Sequence, residues 1–164
     1  MRRPAVVIDT NVLVVASERN EQASKTCILT CISTLRGIRE NNVVIVDDGQ
    51  RIFSEYFGKL SFSGQPGVGD SFFKWLFDNQ GNERHCHFVS ITPRQKDADD
   101  FVEFPNDISL GKFDRADRKF VAVAIASKNN PPIYNACDTD WHHFDDALKK
   151  HRVKVVQLCP ELMS

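Results

Sequence analysis

Short apolar runs rich in β-branched residues alternate along this chain with longer stretches of helical periodicity, and that alternation restricts the fold more than any other feature. Ala5-Val6-Val7-Ile8 reads as a buried strand that stops at Asp9, and Val43-Val44-Ile45-Val46 as a second that stops at Asp47-Asp48-Gly49. Further strands are expected over residues 87–91, 133–137 and 153–158. Between them, residues 21–41 place Ile28, Cys31, Ile32 and Leu35 on one helical face, and Ile52, Phe53, Tyr56, Phe57 and Leu60 form one amphipathic stripe. Helices are also expected over 71–79, 113–127 and 141–151, and a loop over 61–69. Thr10-Asn11 can open a helix or a tight turn, and the polar, acidic stretch 92–112 has no assignable pattern. Strands alternating with helices imply parallel βαβ crossovers, with helices covering both faces of the sheet.

At 164 residues the chain fits one domain, 1–164, and is long enough to bury a core without staples. Its net charge of −1 argues against a passive nucleic-acid coat, which would be basic, but not against a nuclease whose acids are offset by bound cations. The five cysteines are Cys27, Cys31, Cys86, Cys137 and Cys159; the count is odd and no C-x-x-C pair exists. Free thiols in a reducing cytoplasm are therefore expected, with Cys27 and Cys31 as buried packing on one helix face. The apolar run after Met1-Arg2-Arg3-Pro4 is too brief for a signal peptide, and nothing approaches a membrane span.

Acids recur where strands end. Asp9 follows the first strand, Asp47 and Asp48 the second, and Asp138 and Asp140 the strand over 133–137. In a parallel sheet these positions share one edge, outside which ligands bind. Asp114 and Asp117 share a helix face near the start of a mostly buried helix, and Glu55 borders the apolar stripe of its own helix. The plain reading of each acid alone is a helix cap or a turn residue. Independent caps need not converge, however, and carboxylates that do converge repel one another until protons or a divalent cation neutralise them. Mg²⁺ and Mn²⁺ prefer such oxygen donors, and phosphodiester hydrolysis is the chemistry that follows. Arg115, Arg118 and Lys119 could reach phosphates beside the acids or pair with them.

The motifs resemble those of the PIN-domain nucleases. Val6-Val7-Ile8-Asp9-Thr10-Asn11-Val12-Leu13 looks like the family's first motif, a buried strand ending in Asp-Thr-Asn. Glu55 matches the position of its helical acid. Asp117-Arg118-Lys119-Phe120-Val121-Ala122-Val123-Ala124 resembles the third motif, and Cys137-Asp138-Thr139-Asp140-Trp141 the fourth. The resemblance spans nearly the whole chain. It implies a three-layer α/β/α sandwich with a central, mostly parallel sheet. It also implies Mg²⁺- or Mn²⁺-dependent cleavage of single-stranded RNA, often by a toxin held by an antitoxin protein, and often as a homodimer. Carried over, Asp9, Glu55, Asp117 and Asp140 form the catalytic tetrad. The metal would be held by Asp9, Asp117 and Asp138 or Asp140, and Asn11, Asp114 and Arg118 would position site or substrate. Asp138 stands where the family commonly has Thr or Ser, so either Asp138 or Asp140 is the principal ligand of that motif.

A structure-specific DNA nuclease on the same fold is the nearest alternative, because no residue visibly reads a 2′-hydroxyl. A catalytically inactive binding scaffold is another, although all four acidic positions are filled. A receiver domain would want its acid later in the chain and a lysine partner, and a dehalogenase-type phosphatase would want a second Asp where Asn11 stands. His85-Cys86-His87 alternates across a strand and lacks zinc spacing, so a soft-metal role is not expected there. Trp75, Phe72, Phe73 and Phe77 are expected in the core or at a dimer interface.

Overall fold

β1 (Ala5–Ile8) is apolar on both faces and fully buried, as a central parallel strand must be. It runs into α1 (Thr10–Ala16), which resolves the helix-or-turn choice at Thr10-Asn11 in favour of a helix. The computed structural model describes residues 2–94 and 97–164; Met1, and Gln95 and Lys96 of the polar stretch 92–112, lie outside the described residues. α2 (Lys25–Asn41) starts where the Ser24 hydroxyl accepts the Cys27 N–H. β2 (Val43–Asp47), α3 (Arg51–Lys59), α4 (Val68–Asp78) and β3 (Cys86–Val89) follow.

The stretch 92–112 contributes a short antiparallel hairpin, β4 (Pro93–Arg94) with β5 (Asp97–Phe101), and one 3₁₀ turn, Ile108–Leu110. A second 3₁₀ turn, Arg115–Asp117, leads into α5 (Arg118–Ala126), so the expected helix over 113–127 starts later than its apolar pattern suggests. β6 (Ile133–Asn135), α6 (Asp140–His143), α7 (Asp145–Lys150) and β7 (Val155–Gln157) complete the chain, the expected helix over 141–151 being broken at Phe144.

The main sheet has the order β3-β2-β1-β6-β7, and every pairing in it is parallel. The first two crossovers move outward from β1 to β3, and the chain then returns to β6 on the other side of β1. With right-handed crossovers, α1–α4 cover one face and α5–α7 the other, a three-layer α/β/α sandwich. α1 and α4 cross closely at Gly69, where a Cβ would stand 1.8 Å from the Leu13 carbonyl oxygen. Phe72 and Phe73 are buried against this layer, while Trp75 and Phe77 are half-exposed. No helix among the described residues is long and apolar enough to cross a membrane.

The cysteines depart from expectation. Cys27 in α2 and Cys159, just after β7, form a disulfide, with Cα atoms 5.3 Å apart. Cys31, Cys86 and Cys137 are free. The partners are separated by 132 residues and only the fold brings them together, which no local spacing rule detects. Closing so long a loop removes much unfolded-state entropy, and such bonds contribute about 2–4 kcal/mol. Refolding in a dithiol reductant is expected to lower the melting temperature by about 10 °C. Coincident melts of oxidised and reduced protein would show that the bond stabilises nothing.

Candidate metal centre

The strand order reverses between β1 and β6, and there the chain leaves the sheet edge in opposite directions, opening the crevice in which α/β proteins bind ligands. Asp9 occupies that point. It caps α1, one oxygen accepting the Asn11 N–H at 2.9 Å. Its other oxygen accepts the indole N–H of the fully buried Trp141 at 2.7 Å. Both oxygens are thus held in place before any ligand arrives.

Two further carboxylates converge on it. Asp117 comes from the 3₁₀ turn at the head of α5, and Asp138 from the turn after β6. One oxygen from each of Asp9, Asp117 and Asp138 lies within 4.8 Å of the others. Asp9 and Asp117 are buried, at 4% and 8% exposure. Burial is the main cause that lifts Asp9 to about 7, with the charges of Glu55 and Asp138 adding to it against the hydrogen bonds from Asn11 and Trp141. Asp117 is pushed up to about 9, first by burial, then by Asp9 and Asp138. The group therefore holds its charge at a cost that a cation would relieve. An all-oxygen donor set at this spacing fits a hard divalent ion such as Mg²⁺ or Mn²⁺.

The other expected residues fall into distinct places. Asp140 starts α6, its N–H donating to Asp138 at 3.0 Å, and it is not one of the three converging acids. Burial, then Asp138 and Asp114, raise its pKa, so it shares the same field. Asp114 is exposed and caps the 3₁₀ turn through the Ala116 N–H. Asn11 ties the ends of β1 and β6 together. Its amide donates to Asn135 at 2.8 Å and accepts the Ala136 N–H at 2.8 Å. Glu55 also stands apart from the trio, accepting the Thr10 hydroxyl and, at 2.8 Å, the ammonium of Lys119.

Arg118 is not brought to the site, which corrects its assignment to substrate positioning. It is buried, pairs with Asp100 at 3.1 Å, donates to the carbonyls of Leu110, Gly111 and Phe113, and lies over the Phe104 ring. With its donors committed, it anchors the segment before α5 and has no fork left for a phosphate. Asp47 is a cap, accepting the N–H groups of Arg51 and Ile52, and Asp48 accepts the Ser90 hydroxyl.

Trp141, Asn135 and Lys119 are the site neighbours that a reading of motifs leaves unassigned or ambiguous. Trp141 follows Asp140 directly, which was the available signal; Asn135 sits inside an apolar strand, where a fully buried amide has to find partners. Beside Lys119 a cavity of about 300 Å³ is lined by Arg51, Ser54 and Arg115. Set against protein-family models, characterised proteins and solved structures, the chain matches none.

Proposed function

We propose that the chain is a PIN-like, metal-dependent ribonuclease acting on single-stranded RNA. The observation that carries this reading is the convergence of Asp9, Asp117 and Asp138 from three separate segments at the switch point of the sheet. Caps alone do not require convergence, and an unneutralised cluster is costly. A bound Mg²⁺ or Mn²⁺ would supply Lewis acidity and lower the pKa of a water. Asp9, held by Asn11 and Trp141, would be the central ligand, with Asp117 and Asp138 completing the oxygen set. Asp140 would act from outside that set. Glu55 and Lys119, an ion pair that the Thr10 hydroxyl joins, would orient groups at its border. Lys119 also stands at the neighbouring cavity, where an ammonium suits a phosphate oxygen.

Lys119 supplies the lysine that a receiver domain would need, but the order β3-β2-β1-β6-β7 is not the 2-1-3-4-5 order of that fold. One observation favours a second reading, an inactive scaffold: Glu55 is held by Lys119 rather than joined to the trio. A toxin role with an antitoxin partner, homodimerisation and DNA as substrate all belong to the proposal's wider frame. Incubation of labelled single-stranded RNA and DNA with Mg²⁺, Mn²⁺ or EDTA is the test. RNA cleavage that requires the metal is the expected result; no cleavage of either polymer by folded, metal-loaded protein would leave the scaffold.

A further inference from the structure

Because every strand of the main sheet is parallel, the residues that precede the strands share one edge, opposite the acids. That edge is basic. Arg2 and Arg3 precede β1, Arg39 lies at the end of α2 before β2, Arg84 precedes β3, and Lys128 follows α5 before β6. The whole chain has a net charge of −1, so this is segregation of charge rather than a basic composition. Complementing the C-terminus of α2 accounts for Arg39 in its last turn and for Arg3, whose guanidinium donates to the Arg39 carbonyl at 3.2 Å, but not for Arg2.

All of these cations but Arg39 line open space. Cavities of about 580 and 770 Å³ share Arg2, Glu83, His87 and Asn129; the first is also lined by Arg3 and Arg84, and the second reaches Lys128. Both fall in the size range of ligand clefts. Among the described residues, none of Arg2, Arg3, Arg39, Arg84 and Lys128 makes an ion pair. The positive field is felt at His85, whose pKa is lowered by burial and then by Arg3, Arg84 and Arg39. Aromatic faces are interleaved with the charges: Arg39 lies 4.9 Å over Trp75, and Trp75 meets His85 edge-on at 4.8 Å.

We propose that this cleft, at the end of the sheet remote from the acids, binds the phosphate backbone of single-stranded RNA as a second site. The choice of RNA rests on the ribonuclease reading; the cleft itself rests on the charge and the cavities. Arg2, Arg84 and Lys128, spaced along the cleft and paired with no acid among the described residues, match a polyanion with repeating charge better than a single small anion. RNA held there would be retained while another part of the same strand occupies the acidic edge.

The test uses the full chain carrying Asp9→Asn, which cannot consume the probe, and a fluorescent oligouridine read by anisotropy. Adding Arg84→Glu and Lys128→Glu is expected to weaken binding at least about tenfold near 0.1 M salt and to flatten the log K against log salt slope by about 1.4, two single-strand phosphate contacts. Lys25→Glu, exposed at the far end of α2 from Arg39, is the charge-matched control and is expected to leave affinity and slope unchanged. Unchanged affinity and slope in the folded double reversal would overturn the cleft. A self-association seen by sedimentation and lost on that reversal would also overturn it, making the cleft a contact between copies. RNA binding that the reversal weakens, in a protein whose native form never cleaves, would sink the nuclease reading and leave the cleft standing.

Discussion

Asp9→Asn is expected to lower metal-dependent RNA cleavage by at least about a hundredfold while leaving the fold intact. Asparagine is as good an N-cap as aspartate, so α1 keeps its first turn. The substitution removes a charge from the centre of the trio, and its amide cannot serve both the Asn11 N–H and the Trp141 indole as well as two carboxylate oxygens do. A folded protein that melts a few degrees below native, because the buried Trp141 indole loses an acceptor worth about 1–3 kcal/mol, beside lost cleavage, is the predicted pair of results. The informative partner is Asp47→Asn. Asp47 stands at the end of the adjacent strand, is fully buried, and uses its oxygens to cap α3. Its replacement should cost about 1 kcal/mol of stability and leave the cleavage rate unchanged. Should Asp9→Asn retain more than a small part of the activity, the reacting site lies elsewhere in the molecule.

Asp9 and Asp47 also show how far the sequence could be read. Both follow an apolar, β-branched strand, and both precede a helix. Local pattern predicted those strands, the parallel alternation and the three layers, because burial on both faces leaves a continuous apolar run that few other structures tolerate. What separates the two acids is tertiary. β1 borders β6 at the switch point, so Asp9 meets Asp138 and Asp117; β2 lies between β1 and β3, so Asp47 meets only the helix it caps. The choice between Asp138 and Asp140 likewise depended on the turn after β6, in which the Asp140 N–H folds back onto the Asp138 carboxylate. Arg118 looked available because a charged residue at the start of a helix usually is. Its burial follows from the hairpin and turns of 97–113, the segment with the least periodic sequence and hence the least legible. The Cys27–Cys159 bond was hidden for the same reason, as a contact between distant parts of the chain.

Without metal, the protein should lose stability as pH rises, and Asp117→Asn should remove much of that loss. Burial lifts Asp117 to about 9 and Asp9 to about 7, both above the ordinary value of 3.8. The folded state therefore binds more protons than the unfolded state between those values. The sign follows: the contribution is fully present below about pH 4 and is lost as pH climbs through 7 and then 9. In EDTA, native protein should melt several degrees lower at pH 9 than at pH 6, on a scale of about 2–4 °C per kcal/mol for a chain of this size. The side-chain amide introduced by Asp117→Asn is a neutral stand-in for the protonated acid, so this variant should melt furthest above native at pH 9, less so at pH 6, and meet it only near pH 4. A cation must displace the same protons, so binding should release protons and tighten with pH, by up to about tenfold per unit for each proton released. Calorimetry of Mn²⁺ binding in buffers of different ionisation enthalpy measures that release directly. Saturating Mn²⁺ should raise the native melting temperature most at high pH and leave Asp117→Asn almost unmoved. A native protein whose melting is flat with pH in EDTA and indifferent to Mn²⁺ would mean that these carboxylates neither strain the fold nor hold a cation, and the metal-dependent reading would go with them.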